Sequence, residues 1–288
     1  MKKLNLLIFV LLLGLISTVG CVKRDSMEDI EIITSAYPIE YLVNEIYGDH
    51  ADIENIFPDG EVIDNYDFNN KQLNNFSDKD LFVYNGENSS DIALSLINRN
   101  DNLLLIDSTL GMEYTYGNEE LWLDPSNVLM MALNIKNGLE EYVSNSYLVK
   151  EIDDNYQDLK VSLSELDAEF KLTVQNADNP KIVVYNQSLM FLEKYGFEVT
   201  ILYDDAIDKT YQDVKTLVKN GDIKYIFMFK DDEPTEELKT FLKTNQIEIV
   251  YLYRLDSISD EQRNNDDDYI SIMEDNLEIL KLEIYNKD

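Results

Sequence analysis

The feature that most constrains the fold is a long amphipathic stretch, from Val149 to Val174, that neither glycine nor proline interrupts. Apolar residues recur there at alternating spacings of four and three, with mostly polar and acidic residues between them: Ile152, Tyr156, Leu159, Leu163, Leu166 and Phe170. This periodicity predicts a helix with one narrow buried stripe.

The predicted helix is long for an element of a compact domain. At about 1.5 Å per residue it spans roughly 40 Å. Segments with strand and helix patterns flank it on both sides. We therefore interpret the helix as a rigid spine between two lobes, with a coiled-coil arm as the alternative.

Length and composition agree with two folded lobes. The chain has 288 residues, of which 44% are hydrophobic, and this is enough for two cores of ordinary size. Its formal net charge of −33 repels nucleic acid and anionic membrane surfaces and attracts cations. No nucleic-acid partner is therefore expected.

The cysteine and histidine counts exclude several kinds of site. With Cys21 as its one cysteine, the chain forms no intramolecular disulfide and no cysteine-based zinc or iron–sulfur centre. With His50 as its one histidine, it lacks every motif that needs several histidines. The sequence has no Ser–His or Cys–His arrangement and no glycine-rich phosphate loop, so an enzyme is not predicted.

The first residues have the features of an export signal. A basic start is followed by an apolar core from Leu6 to Ile16, too short to span a bilayer comfortably, and then by small residues up to Cys21. This end resembles a bacterial lipobox, in which the cysteine becomes the lipidated first residue, although Thr18 stands where a lipobox usually has Leu.

We expect residues 1–20 to be a signal peptide and residues 21–28 to be the lipidated Cys21 and a short polar tether. Such an anchor would hold the protein on the outer face of the cell membrane. The alternative is a plain secreted protein.

Strand-like and helix-like segments alternate on both sides of the spine. Runs rich in β-branched and aromatic residues, such as IEIITSAYP, DLFVYNG and KIVVY, are each followed by a segment with helical spacing. This alternation predicts mostly parallel sheets with both faces covered by helices. We expect an α/β protein with an N-terminal lobe over 29–147, a linking helix over 148–177 and a C-terminal lobe over 178–288.

Four polar residues are candidates for ligand binding. In open α/β sheets, ligands bind at the carboxyl ends of strands, and between two such lobes those ends commonly line a shared cleft. Residues at or near such ends are Asp64, Glu120, Tyr185 and Asp256. Taken singly, a loop carboxylate is usually a solvated charge and a tyrosine at a strand end usually packs. Their coincidence in one cleft is what makes them candidates.

Six short motifs lie along the chain in a fixed order: TSAYP (34–38), IYGD (46–49), LFVYNG (81–86), LWLDPSN (121–127), LEKYGF (192–197) and LDSIS (255–259). In these motifs the sequence resembles the metal-binding substrate-binding lipoproteins of ABC transporters, the group that carries zinc or manganese. The similarity covers nearly the whole mature chain. It implies two α/β lobes joined by a single rigid helix, a metal cation bound between them and an ABC permease as partner.

The resemblance also implies a metal site at the four candidate residues, although most of them differ from the family pattern. Asp64 and Glu120 stand at the positions of the first two family histidines, and Tyr185 stands at a third position that is histidine or glutamate. Asp256 is the retained family aspartate. Lys230 stands in a region where the family often has an acid, so it is a candidate to pair with a neighbouring carboxylate.

The four donors offer only oxygen, whereas zinc sites draw on imidazole and thiolate. We therefore expect a divalent or trivalent ion as the transported ligand, with manganese or iron favoured over zinc. The predicted function is that of an extracytoplasmic solute-binding protein that captures a metal cation in the cleft and delivers it to an ABC permease. The alternative is a degenerate surface lipoprotein of the same fold that binds no metal and acts as an adhesin or as a receptor for another ligand.

Overall fold

The computed structural model describes residues 27–60 and 66–285. The predicted signal peptide, the predicted lipidation site Cys21 and the predicted ligand Asp64 lie outside the described residues. Within the described ranges, no helix has both the length and the apolar character needed to cross a membrane.

The N-terminal lobe is built on a four-stranded parallel sheet in the order β2-β1-β3-β4. Its strands are β1 (Ile30–Thr34), β2 (Ala51–Asn55), β3 (Leu81–Tyr84) and β4 (Leu104–Asp107). The central strands pair in a register that sets Ile32 against Leu81 and Thr34 against Val83. The central strands β1 and β3 are mostly apolar, as expected where helices cover both faces of a parallel sheet.

The C-terminal lobe repeats this arrangement with a four-stranded parallel sheet in the order β6-β5-β7-β8. Its strands are β5 (Lys181–Val184), β6 (Glu198–Ile201), β7 (Tyr225–Phe229) and β8 (Glu248–Leu252). The two parallel sheets confirm the predicted α/β fold class. In each sheet the strand order reverses beside the first strand of the lobe, and ligands bind α/β proteins at the carboxyl ends of strands around such a point.

Helices connect the strands and cover the sheets. They are α1 (Tyr37–Tyr47), α2 (Asn70–Ser77), α3 (Ser90–Ile97), α4 (Glu120–Leu123), α5 (Pro125–Tyr142), α6 (Ser146–Gln175), α7 (Asp208–Asn220), α8 (Glu236–Thr244), α9 (Asp260–Asn264) and α10 (Tyr269–Ile284). The segment after KIVVY, predicted to be helical, is a tighter 3-10 helix over Gln187–Tyr195. Gly196 caps it with a φ of 105°, a left-handed conformation that favours glycine.

The long helix α6 extends over Ser146–Gln175, 30 residues, where the sequence predicted 148–177. Asn145 caps its first turn, because the side-chain oxygen accepts the N–H of Tyr147 at 3.0 Å. The apolar residues of the predicted stripe are all buried: Ile152, Tyr156, Leu159, Leu163, Leu166 and Phe170. The stripe packs against α1 and α5 of the N-terminal lobe and α10 of the C-terminal lobe.

One apolar cluster runs through both lobes. It contains Leu81 of the N-terminal sheet, Phe170 of the long helix and Phe227 of the C-terminal sheet. Separate clusters fill the opposite faces of the sheets, around Phe82 in the N-terminal lobe and Met228 in the C-terminal lobe. Because the long helix lies within a core that both lobes share, we expect it to be a stiff connection. The limits of the lobes, 29–147 and 178–288, stay predictions.

Candidate cation site between the lobes

Asp256 is the predicted ligand that lies in the cleft between the lobes. It follows β8, and it lines a cavity of about 490 Å³ together with Glu119 and Trp122 of the N-terminal lobe. Burial raises the pKa of Asp256 to about 6, and the charges of Asp231 and Glu119 strengthen this effect. The positive charge of Arg254 opposes it. A raised pKa is expected where carboxylates converge in a partly dry cleft.

The cleft contains a cation of the chain's own, Arg254. Its Nη1 lies 2.8 Å from Glu119 Oε1, and its Nη2 lies 3.0 Å from Asp231 Oδ2 and 3.2 Å from Asp232 Oδ1. The guanidinium lies over the ring of Phe229, 4.8 Å from the ring centroid. The side chain is only 14% exposed, so these charge pairs are largely shielded from water.

Glu119 links the two lobes at this point. Its Oε1 accepts from Arg254, and its Oε2 accepts the hydroxyl of Ser188 at 2.7 Å. Next to it, the indole N–H of Trp122 donates to the main-chain oxygen of Arg254 at 2.9 Å. The lobes also approach closely at Gly117, where an added Cβ would lie 2.8 Å from Ser188 Oγ.

Glu120, a predicted ligand, is bonded to its own loop. Its Oε2 accepts the backbone N–H of Thr115 at 2.8 Å and that of Tyr116 at 2.7 Å. These bonds close the loop that enters α4 and satisfy two backbone donors that precede the helix. Glu119 makes the contacts across the cleft.

Tyr185, another predicted ligand, is bonded within the C-terminal lobe. Its hydroxyl donates to Asp204 Oδ2 at 2.9 Å, and Asp204 Oδ1 in turn accepts the backbone N–H and the hydroxyl of Thr235. Burial raises the pKa of Tyr185, and the hydrogen bond to Asp204 raises it further. The phenol is therefore a neutral group held at a fixed position.

Of the four predicted ligands, then, Asp256 lies in the cleft, Glu120 and Tyr185 are bonded elsewhere, and Asp64 is outside the described residues. Among residues 27–60 and 66–285, no group of three or more His, Cys, Asp or Glu side chains is arranged to hold a metal ion. The four-residue site stays a prediction.

The acidic centre of the cleft consists of Glu119, Asp231 and Asp232, which surround Arg254. None of these residues was among the ligands predicted from the sequence. Arg254 lies two residues before the candidate Asp256, but Leu255 between them has a left-handed φ of 65°, so the period-two rule for extended chain does not give the relative direction of the two side chains. Glu119 is adjacent to the candidate Glu120, and Asp231 follows Lys230.

Neither Lys230 nor His50 forms an ion pair with Glu119, Asp231, Asp232 or Asp256 among the described residues. Lys230 is exposed at the mouth of a neighbouring pocket and makes no ion pair with a described residue. Arg254, not Lys230, supplies the positive charge. His50 lies 3.3 Å from a carboxylate oxygen of Glu151 on α6 and does not line the cleft cavity.

The chain is similar to known metal-uptake proteins. The family model described as zinc-uptake complex component A, periplasmic (ZnuA), matches residues 32–282. The high-affinity zinc uptake system protein ZnuA of Bacillus subtilis (strain 168) is 22% identical over 90% of this chain and 89% of its own length. The manganese ABC transporter substrate-binding lipoprotein PsaA of Streptococcus mitis is 26% identical over 76% of this chain and 78% of its own length.

A solved structure agrees with the fold. The zinc-bound ZnuA-like domain of Streptococcus pneumoniae AdcA superposes with a TM-score of 0.72, at 21% identity, over 90% of this chain and 100% of that domain. Because the family model spans most of the chain, the family is established. The chain belongs to the ZnuA family of extracytoplasmic metal-binding components of ABC uptake systems, which are solute-binding proteins and not enzymes.

Proposed function

We propose that this chain captures a manganese or iron cation in the cleft between its lobes and delivers it to an ABC permease. The observation that carries the proposal is the chemistry of the cleft, whose charged acceptors include the carboxylates of Glu119, Asp231, Asp232 and Asp256. His50 contacts Glu151, and the chain's one thiol belongs to Cys21 near the N-terminus. Oxygen donors favour harder ions than zinc.

The relatives bind related ions. ZnuA of Bacillus subtilis is named for high-affinity zinc uptake. PsaA of Streptococcus mitis is named as the substrate-binding lipoprotein of a manganese ABC transporter. The oxygen donors of this chain favour manganese over zinc. The carboxylates of Asp64, Glu120 and Asp256 together exceed a divalent charge by one, so a ferric ion is also a suitable cargo. The family match does not favour the alternative of an adhesin or receptor that has lost the metal.

We propose Asp256 as the ligand already in the cleft, with Asp64, Glu120 and Tyr185 as the further ligands. The contacts of Glu120 and Tyr185 leave room for this role. Both backbone bonds of Glu120 use Oε2, which leaves Oε1 for a cation. The phenol of Tyr185 donates its proton to Asp204, which leaves the oxygen lone pairs for coordination.

Calorimetric titration of the demetallated protein with manganese, chelated ferric iron and zinc tests this proposal. We expect manganese or ferric iron to bind more tightly than zinc, and Asp256→Ala to weaken the preferred ion. Tyr185→Phe and Glu120→Ala test the remaining ligands in the same way. Asp158→Ala, on the exposed face of α6, is the matched control and should leave binding unchanged.

Two outcomes would contradict the proposal. Tight zinc binding that neither Asp256→Ala nor Tyr185→Phe alters would refute the proposed site. Binding of none of the three ions would refute metal capture and support the receptor alternative.

We further propose that Cys21 carries a lipid that anchors the protein to the outer face of the membrane. PsaA, one of the relatives, is named a lipoprotein. The test is cell fractionation of the Cys21→Ser chain, with Ser26→Ala in the tether as control. We expect Cys21→Ser to leave the membrane fraction and Ser26→Ala to remain. Retention of Cys21→Ser in the membrane after cleavage at the same place would refute lipid anchoring.

A further inference from the structure

Arg254 occupies the acidic centre of the cleft as a captured cation would. Its guanidinium lies within 3.2 Å of carboxylate oxygens of Glu119, Asp231 and Asp232. The side chains of Glu119 and Asp232 are only 15% and 6% exposed. Arginine stays protonated at every physiological pH, so its charge is permanent.

The carboxylates around Arg254 come from both lobes. Glu119 precedes α4 in the N-terminal lobe, whereas Asp231 and Asp232 follow β7 in the C-terminal lobe. Arg254 itself follows β8. The same side chain therefore neutralises charge on both sides of the cleft and connects them.

The hydrogen bonding of Arg254 is incomplete. Its Nε is buried and has no acceptor within the described part of the chain, although both terminal nitrogens are paired. A buried donor without a partner costs free energy. The guanidinium is thus held at this position chiefly by opposite charge and by the face of Phe229.

We propose that Arg254 is an internal cation that competes with the captured metal for the carboxylates of the cleft and so sets the affinity of the site. This inference rests on the proposed function. Arg254 and the proposed ligand Asp256 are two residues apart and line the same pocket, so a divalent ion bound by Asp256 would lie near the guanidinium. Two cations close together repel each other strongly in a partly buried site. Metal capture by Asp256 is then expected to displace Arg254 from its present position.

Competition predicts a result that a structural role does not. If Arg254 only supports the fold, its removal should weaken binding or leave it unchanged. If Arg254 competes, its removal should free the carboxylates and tighten binding. Arg254→Gln removes the charge and keeps much of the side-chain volume. Arg254→Lys keeps the charge and loses the planar fork.

The experiment is calorimetric titration of the demetallated full chain with manganese chloride. We expect Arg254→Gln to bind manganese at least about tenfold more tightly than the unaltered protein. The affinity of Arg254→Lys should stay closer to that of the unaltered protein. Lys230→Ala removes an exposed cation near the same cleft and should change the affinity less than twofold. Arg254→Ala serves as a second charge-removing variant if Arg254→Gln unfolds, with circular dichroism as the check of folding.

The outcomes separate this inference from the proposed function. An unaltered protein that binds manganese, with charge-removed variants that bind no more tightly, overturns the competition and leaves metal capture intact. An unaltered protein that binds no manganese, with an Arg254→Gln variant that does, supports the competition and contradicts metal capture by the natural chain. Absence of binding in every variant overturns both.

Discussion

Arg254 of the C-terminal lobe donates to Glu119 of the N-terminal lobe at 2.8 Å, and both side chains are about 85% removed from water, with 14% and 15% of their surface exposed. The pair joins the lobes at the carboxyl ends of their sheets, where a family of metal-binding proteins is expected to hold its cargo. Glu119 also accepts the hydroxyl of Ser188. The cleft is thus closed by contacts within the chain.

We expect Glu119→Gln to lower the free energy of unfolding by about 1–3 kcal/mol, because a shielded charge pair loses one partner and Arg254 retains only its contacts in the C-terminal lobe. Urea unfolding followed by circular dichroism measures this loss. Glu278→Gln is the matched control, since Glu278 is 67% exposed and pairs with Lys281 on the surface of α10. Its effect should stay within about 0.5 kcal/mol. Equal effects of the two substitutions would contradict a special role for Glu119.

Gly117 provides a second test of the contact between the lobes. Its φ is 115°, and an added Cβ would lie 2.8 Å from Ser188 Oγ and 3.3 Å from Glu119 Oε2. Gly111 has a φ of 74° with no atom within 4 Å of an added Cβ. Gly117→Ala should therefore cost about 1–3 kcal/mol more in the free energy of unfolding than Gly111→Ala, because only the former crowds the opposite lobe. Thermal and urea unfolding of both variants measure the difference, and equal losses would show that Ser188 moves aside at no cost.

The raised pKa of Asp256 predicts how stability depends on pH. Burial raises this pKa to about 6 in the folded protein, above the usual value of about 3.9 in an unfolded chain. The folded state then binds the proton more tightly, so the stabilisation from protonation is fully present below about pH 4 and is lost as the pH rises through about 6.

Asp256→Asn removes this titration. Relative to the variant, the unaltered protein should lose roughly 2–3 kcal/mol in the free energy of unfolding between pH 4 and pH 7, at about 1.4 kcal/mol per pKa unit. Urea unfolding of metal-free samples across this range measures the difference. Asp158→Asn on the exposed face of α6 is the matched control for loss of a carboxylate. A difference for Asp256→Asn that stays constant across this pH range would contradict the raised pKa.

The shared core predicts small motions on ligand binding. Helix α6 lies within an apolar cluster that includes both lobes, and Arg263 of the C-terminal lobe also pairs with Glu40 and Asp59 of the N-terminal lobe. We expect the lobes to rock slightly about this helix and not to close like two jaws. Small-angle scattering profiles with and without metal should superimpose within error. A large compaction on binding would contradict the rigid spine.

Much of the fold could be predicted because it depends on local periodicity. The helical spacing of apolar residues from Ile152 to Phe170 predicted the spine, and the alternation of strands and helices predicted two parallel sheets. The family resemblance based on LWLDPSN and LDSIS is confirmed by the family match over residues 32–282. The type of helix was harder to predict, because helical spacing did not reveal that Gln187–Tyr195 forms a 3-10 helix.

The site was less predictable because it depends on side-chain direction and on distant partners. Glu119 and Glu120 are adjacent acids, and only the turn into α4 decides that Glu119 crosses the cleft while Glu120 bonds Thr115 and Tyr116. Tyr185 is held by Asp204, a residue of another loop, and sequence spacing does not encode such a contact.

The most direct test of the account is the position of the cargo itself. Crystals of the demetallated protein loaded with manganese should be measured at a wavelength where manganese scatters anomalously. We predict one strong anomalous peak in the cleft, within coordination distance of Asp256 and with the guanidinium of Arg254 displaced from Glu119. A peak that leaves Asp256 uncoordinated would contradict the proposed ligand, and a cleft without an anomalous peak would contradict metal capture between the lobes.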